Sequence, residues 1–160
     1  MEEVAGSLRT NLPDESGAAK RAPGYVAAMS LEANKDVVRR FYAEVINARD
    51  VGAIDQLLTA DFVHDGEVRG REGQKAAVEV FFKGFDPLHN EILILVAEDD
   101  LVAAHQRWTG THVGEFAGVA ATGKQVEFLS TAILRVADGQ ISEAIDVVAS
   151  AELMAQLTAS

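Results

Sequence analysis

The chain has 160 residues, a formal net charge of −11 and no cysteine, which suits one domain of ordinary size. Its acidity disfavours phosphate backbones and anionic lipid surfaces, so we expect neither nucleic acid nor membrane as a partner. The lack of cysteine excludes disulfides, thiol catalysis and zinc–thiolate sites, and fits a reducing compartment. Because no apolar run is long enough to cross a bilayer and the start of the chain is acidic, we expect a cytoplasmic protein.

The first 28 residues show no clear periodicity. They contain two clusters of helix-breaking residues, at positions 11–17 and 21–24. Such composition is typical of loops and unstructured termini. We therefore predict a flexible N-terminal extension over residues 1–28 and a single domain over residues 29–160.

The next part of the chain carries helical patterns. From Asn34 onward, apolar residues recur at three- and four-residue spacing, which predicts a helix; they are Val38, Phe41, Tyr42, Val45 and Ile46. Asp50 is the expected N-cap of a short second helix. A third helix is predicted over residues 71–83, with an inward face formed by Ala76, Val80 and Phe81, and a last helix over residues 151–157.

Beyond Pro87 the pattern changes to long strands. Four are predicted, over residues 90–98, 101–112, 124–136 and 140–150, after an earlier short strand over residues 61–64. Asp99-Asp100 and Asp138-Gly139 are hairpin turn signals. Helices followed by an antiparallel meander predict an α+β fold, with N-terminal helices packed on one face of a curved, mainly antiparallel sheet.

Two of these strands are apolar on both faces. In the strand over residues 140–150, alternation places Ile141, Ile145 and Val147 on one side, and Ala144, Asp146 and Val148 on the other. The strand over residues 124–136 is similar. Because helices can cover only one face, and a solvated face should be mostly polar, we expect a homodimer formed through the outer sheet face.

Several segments are similar to those of a known family. They are residues 34–42 (NKDVVRRFY), 61–64 (DFVH), 110–118 (GTHVGEFAG) with 122–124 (TGK), and 135–143 (RVADGQISE). Together they resemble the SnoaL-like polyketide cyclase (ester cyclase) family of the NTF2-like superfamily. The resemblance implies a cone-shaped α+β domain around a pocket for a small hydrophobic molecule. It also implies ring closure by an intramolecular aldol reaction that needs no cofactor or metal. The chain departs from the family at Ile145, often Trp, at Ala149, often Asp, and at Ala121, often Pro.

Asp146 is the leading catalytic candidate. It lies in mid-strand between apolar neighbours, where a carboxylate is costly to bury. In a dry pocket its pKa should rise, which suits a general acid and base. The resemblance places it where such cyclases keep the Asp that moves the proton. The alternative is a structural carboxylate at the edge of the sheet.

Two histidines are candidates to assist Asp146. His64 alternates with Phe62 on the short strand, so both side chains are expected in the pocket, where a neutral imidazole could shuttle a proton. His112 is assigned a pocket role by the resemblance. Strict alternation places Gln106, Trp108 and His112 on one side and His105 on the other.

The expected substrate-binding residues are Phe62, Trp108, Gln106, Tyr42 and Ala144. Trp108 could stack on a planar ligand, and the Tyr42 hydroxyl could reach the pocket from the first helix. No spacing of histidines matches a metal-binding motif, so we expect no metal. Residues 118–124 (GVAATGK) match most of a P-loop, but they join two strands and Gln125 stands where Ser or Thr belongs, so we interpret them as a hairpin loop.

Three alternatives to a cyclase remain open. A non-catalytic domain could hold a hydrophobic ligand in the same pocket, as the changes at Ile145 and Ala149 suggest. An epoxide hydrolase of the limonene-epoxide type needs an Asp-Arg-Asp set, which is incomplete because Thr109 follows Arg107-Trp108. An isomerase of the ketosteroid type needs an acid and a tyrosine in one pocket, a pair that the sequence alone does not locate.

Overall fold

A computed structural model describes residues 23–160, with side chains from Ser30 onward. Helix α1 (Pro23–Arg40) continues directly into a π-helical segment (Phe41–Asn47). It begins before the expected domain boundary at residue 29, and the rest of the predicted extension lies outside the described residues. A 3₁₀ turn (Val51–Ala53) and the short helix α2 (Ile54–Leu57) follow. The five apolar residues predicted to face inward are all buried, so that prediction is confirmed.

The sheet has six strands: β1 (Leu58–His64), β2 (Glu67–Val68), β3 (Phe85–Glu98), β4 (Leu101–His112), β5 (Gln125–Ala137) and β6 (Gln140–Val148). Helix α3 (Gly70–Gly84) lies between β2 and β3, and α4 (Ser150–Thr158) follows β6. The strand order is β2-β1-β6-β5-β4-β3, antiparallel except for the β1–β6 pair. The predicted α+β class, with helices on a curved and mainly antiparallel sheet, is confirmed.

Hairpin turns occur where the sequence predicts them. Glu98 pairs with Leu101 and Ala137 with Gln140, so two residues connect the strands in each case. Asp99, Asp138 and Gly139 all have positive φ, the conformation that tight hairpins require and that Asp and Gly tolerate best. These two turns therefore set the register of β3 with β4 and of β5 with β6 next to each turn.

The side-chain alternation in β6 differs from the prediction. The pairing of β5 with β6 shifts between Arg135 and Val136, because Arg135 pairs with Glu143 whereas Val136 pairs with Ile141. The extra residue in β6 is a bulge, which breaks strict alternation. Ile141 is therefore buried on the same side as Ala144, and placing it with Ile145 and Val147 on the outer face was wrong.

The inward face of α3 also differs from the prediction. Ala76 and Val80 are exposed, and Gln74 and Val78 are buried instead, with Phe81 partly buried. The spacing of four and three residues is helical, but its phase includes a glutamine. A search for apolar positions alone could not find that phase, because one inward position is polar.

The core has two parts. One lies between the helices and the β1 side of the sheet, and the other lies under α4 and holds Phe85, Leu88, Val126, Phe128, Leu153 and Leu157. Trp108 packs against both parts. Trp108 also lines the cavity between the helices and the inner face of the sheet, where the candidate site lies.

Candidate functional site

A cavity of about 110 Å³ lies between the π-helical segment, α3 and the inner face of the sheet. Its polar lining consists of Tyr42, His64, Arg69, Gln74, Ser130 and Asp146, and the rest of the wall is apolar. A larger open groove of about 430 Å³ lies between β4, β5 and α4, but none of the sequence-predicted site residues lines it. The small cavity is therefore the candidate site.

Asp146 and His64 form a pair in this cavity. Nε2 of His64 lies 2.9 Å from Oδ2 of Asp146, and the two side chains are 13% and 29% exposed. Asp146 pairs with the buried Ala132 across β5 and β6, which directs its side chain to the inner face. The parallel pairing of β1 with β6 brings His64 beside it. Two candidates 82 positions apart in the sequence thus meet at hydrogen-bond distance.

The turn after β1 holds this pair in register. Asp65 has a positive φ, and its Oδ1 accepts a hydrogen bond of 3.0 Å from the backbone N–H of Asp146. Its Oδ2 lies 3.5 Å from Nε2 of His64. The turn therefore connects both members of the pair and adds a second carboxylate near the imidazole.

The other ring nitrogen of His64 also has partners. Nη1 of Arg69 lies 2.5 Å from Nδ1, and Oε1 of Gln74 lies 3.3 Å from it. Arg69 also donates to Oε1 of Gln74 at 3.1 Å. The hydrogen bond to Asp146 raises the pKa of His64 above its ordinary value, whereas burial and the charge of Arg69 act in the opposite direction.

Tyr42 presents a neutral hydroxyl at the cavity. Burial, together with the negative charge of Asp146, raises the pKa of the phenol well above its usual range. Its oxygen accepts a hydrogen bond of 2.9 Å from Nε2 of Gln106, whose Oε1 accepts one of 2.7 Å from Asn90. Because the oxygen is already an acceptor, the phenolic proton remains for a ligand. The backbone of Asn90 is held in turn by two hydrogen bonds with the Asn47 side chain, of 2.8 and 2.9 Å.

Aromatic rings form one wall of the cavity. The ring planes of Trp108 and Phe128 are parallel, with centroids 6.0 Å apart, and Phe81 stacks at 6.4 Å from Trp108. The indole Nε1 of Trp108 donates to Oγ of Ser130 at 2.8 Å, which fixes the plane of the ring. The predicted role of Trp108 as a pocket wall agrees with this geometry, and the wall suits a planar apolar ligand.

The remaining predicted binding residues lie at different depths. Phe62 and Ala144 line a side cavity of about 30 Å³ that shares Tyr42, His64 and Asp146 with the main one. Gln106 is fully buried and lines neither space; it reaches the site only through Tyr42. His105, as alternation predicts, faces the other side, within 2.9 Å of the Thr131 hydroxyl.

His112 is not part of the cavity. It is fully buried beside Phe85, at a ring-centroid distance of 5.4 Å, and it lines neither the main nor the side cavity. Its Nδ1 lies 3.0 Å from the Thr122 hydroxyl and accepts from the backbone N–H of Thr122 at 3.3 Å, whereas its Nε2 has no partner among the described residues. The structure thus brings His64 to Asp146, whereas His112 holds the β4–β5 loop.

Sequence reasoning missed several residues of the site. Arg69, Gln74 and Ser130 are the polar ones. Arg69 comes between a two-residue strand and α3, where no periodicity predicts a direction. For Ser130 a signal existed, because it is an even-numbered residue in the same strand as the inward-facing Phe128.

Across residues 23–160, no three His, Cys, Asp or Glu side chains come together as a metal-binding set. Nor does any helix in that range have the length and apolarity required to span a membrane.

Solved structures share this fold. A proposed SnoaL-like polyketide cyclase from Jannaschia sp. CCS1 matches with a TM-score of 0.75 and 26% identity, covering 81% of this chain and 94% of its own. IdmH, a proposed polyketide cyclase from Streptomyces antibioticus, matches with a TM-score of 0.70 and 28% identity, covering 78% of this chain and 97% of its own. AclR, a proposed hydroxylase from Streptomyces galilaeus, matches with a TM-score of 0.72 and 29% identity, covering 79% of this chain and 96% of its own.

No curated protein is detectably similar to the chain. The family model described as SnoaL-like polyketide cyclase, in contrast, matches residues 36–157. That range contains every residue of the Asp146–His64 site and all six strands. The chain therefore belongs to the SnoaL-like polyketide cyclase family.

Proposed function

We propose that the protein is a cofactor-independent enzyme that forms an enolate from a small hydrophobic carbonyl compound and closes a ring by an intramolecular aldol reaction. The observation that carries this proposal is the contact of 2.9 Å between Asp146 and His64 beside an aromatic wall. A carboxylate held by a hydrogen bond at the edge of an apolar cavity is suited to remove a proton from carbon.

The reaction can be written with the residues of the cavity alone. Oδ2 of Asp146 is held by His64, which leaves Oδ1 to remove a proton from the carbon next to a carbonyl group. The electrons of that C–H bond form an enolate, whose oxygen accepts a hydrogen bond from the Tyr42 hydroxyl. The enolate carbon then attacks a second carbonyl of the same molecule, and the new alkoxide takes the proton back from Asp146.

The volume of the cavity limits the reacting group. About 110 Å³ is somewhat less than the roughly 150 Å³ of an engineered protein cavity that binds benzene. It is also well below the range of about 300–1,000 Å³ of pockets for drug-sized ligands. We therefore propose that one ring-sized part of the substrate enters, with its acidic C–H at Asp146, while the remainder stays at the mouth.

The identity of the bound molecule is the first test. Protein is purified and denatured, and the released small molecules of the wild type and of Asp146→Asn are compared by mass spectrometry. A keto compound that the wild type cyclises and the variant returns unchanged supports the proposal. Release of one unaltered compound from both proteins instead favours a binding domain without catalysis. Asp61→Asn, a change at an exposed position of β1, is the matched control.

A second candidate function is keto–enol isomerisation. It is favoured by the occurrence of Tyr42 and Asp146 in one cavity, the acid-and-tyrosine pair that such an enzyme requires. The two reactions share the enolate and differ in its fate. Carbon NMR of the compound before and after incubation with wild-type protein distinguishes them, because ring closure forms a new C–C bond whereas isomerisation leaves the carbon skeleton intact. The epoxide-hydrolase alternative is not supported, since Arg107 is bound to Glu91 on the outer face.

We also propose that two copies associate through the outer sheet face. Exposed apolar side chains cover this face, namely Ile94, Val96, Leu129, Ile133, Ile145 and Val147. The charged residues around them are already paired, as are Arg107 with Glu91 and Arg135 with Asp100. A second copy can therefore dock on this face without bringing unpaired like charges together. Ile133→Glu should convert a dimer into a monomer in light scattering, whereas Val80→Glu, on the exposed side of α3, should not.

A further inference from the structure

The contact between Arg69 and His64 determines where the imidazole proton lies. Nη1 of Arg69 is 2.5 Å from Nδ1 of His64, and a guanidinium group has donors only. Nδ1 must therefore accept through its lone pair. Since a neutral imidazole carries one proton, that proton lies on Nε2, which faces Oδ2 of Asp146 at 2.9 Å.

This tautomer assigns different roles to the two members of the pair. The only lone pair of His64 is occupied by Arg69, so the imidazole cannot accept a proton from a substrate without losing that contact. Asp146 receives a hydrogen bond on one oxygen and keeps the other. We propose that Arg69 is a positioning residue that, together with Asp146, holds His64 as the neutral Nε2–H tautomer and thereby leaves Asp146 as the base. The role of the base rests on the proposed function; the tautomer does not.

The charges around His64 oppose one another. Asp146 on β6 and Asp65 in the β1–β2 turn favour the imidazolium form, while Arg69 opposes it. Gln74 on α3 and the neutral Tyr42 hydroxyl in the π-helical segment also surround it, and Glu67 on β2 pairs with His64 across the two strands. A proton on Nδ1 would point at the guanidinium, so protonation of His64 requires Arg69 to move away.

Among the described residues, Arg69 makes no ion pair with a carboxylate, and Nη1 bonds only to His64 and Gln74. In a chain of net charge −11, acidic side chains outnumber basic ones, so a surface arginine is expected to pair with a carboxylate. Its contacts with an imidazole and an amide at the cavity are therefore consistent with a role at the site.

The test is nitrogen-15 NMR of the imidazole of His64 in the purified full-length protein. Long-range proton–nitrogen spectra distinguish the two neutral tautomers and the imidazolium ion, so a pH titration gives both the tautomer and the pKa. For the wild type we expect the Nε2–H tautomer at high pH. In Arg69→Gln the pKa of His64 should rise by about one pH unit, as expected for removal of a neighbouring like charge, and the imidazolium should donate its Nδ1 proton to Oε1 of Gln74 while its Nε2 proton stays on Asp146.

Two further variants control for folding and for charge. Arg71→Gln removes an arginine two residues away that donates to the Leu58 carbonyl and does not contact His64, so its titration should match the wild type. Arg69→Lys keeps the charge and should hold the pKa of His64 near the wild-type value even if Arg69→Gln folds poorly. An Nδ1–H tautomer in the wild type, or an unchanged titration in Arg69→Gln, would overturn the proposal. No substrate is needed, so inactivity of the protein would refute the proposed function alone.

Discussion

Gln106→Leu tests the buried chain of hydrogen bonds behind Tyr42. Gln106 is fully buried and Asn90 is 3% exposed, and the bond between them, of 2.7 Å, is the one that Nδ2 of Asn90 makes. Oδ1 of Asn90 already has no partner among the described residues. The substitution therefore leaves a whole amide group buried and unpaired.

The expected cost follows from that amide. A buried polar group that loses its partner costs about 1–3 kcal/mol. The substitution also removes the hydrogen bond from Gln106 to the Tyr42 hydroxyl, and the better apolar burial of leucine offsets part of that loss. We expect the free energy of unfolding to fall by about 2 kcal/mol, or about 4–8 °C in Tm for a chain of this size. Urea denaturation with unchanged slope provides the measurement.

A double-mutant cycle makes this prediction specific. Asn90→Leu removes the amide that Gln106→Leu leaves unpaired, and the backbone of Asn90 keeps its hydrogen bonds with Asn47. The double variant should therefore be less destabilised than the sum of the single variants by at least about 1 kcal/mol. Additive losses, or a loss below about 0.5 kcal/mol for Gln106→Leu alone, would show that the chain of hydrogen bonds does not stabilise the site as argued.

Three further predictions concern the pair, the last helix and the β4–β5 loop. The pKa of His64 is raised in the folded protein, so its pair with Asp146 stabilises the fold most below the unfolded pKa of about 6.5 and loses this contribution as pH rises through the folded pKa. The stability lost in Asp146→Asn, measured from urea midpoints, should therefore be larger at low pH than at high pH. An equal loss at both pH values would contradict this prediction. Lys124→Met should cost about 1 kcal/mol and speed amide exchange in α4, since its Nζ donates to the carbonyls of Gln156, Leu157 and Ala159, whereas the exposed Lys83→Met should have no such effect. Gly114→Ala would place a Cβ 2.1 Å from the Lys83 carbonyl oxygen, so we expect a loss above about 2 kcal/mol by thermal unfolding, against little change for Ala120→Gly in the same loop.

The sequence predicted those parts of the fold that depend on local pattern. The periodicity of the first helix named its five buried residues, and the turn signals defined the two long hairpins, because both depend on neighbours along the chain. The bulge that turns Ile141 inward depends on pairing with β5, and the phase of α3 depends on the cavity that Gln74 faces. Such features are set by tertiary contacts, which no local pattern contains.

The candidate site was predictable to a similar extent. Asp146 stood out because a carboxylate in an apolar strand is unusual, and His64 because it alternates with Phe62. Their contact required the parallel pairing of β1 with β6, which the sequence does not reveal. The family resemblance assigned His112 a pocket role, yet it holds a loop, because its strand passes the cavity at Trp108 and continues for four more residues.

The composition of the cavity wall itself favours catalysis over simple binding. A pocket that only holds a hydrophobic molecule gains affinity from apolar surface and loses stability with each charged group it buries. This wall nevertheless combines a carboxylate, an imidazole and a guanidinium, with the imidazole within hydrogen-bond distance of the other two. Departures from good packing that persist in a folded protein are expected where function requires them. Within the pair, His64 contacts Oδ2 of Asp146 and leaves Oδ1 for a ligand, as the proposed proton removal requires.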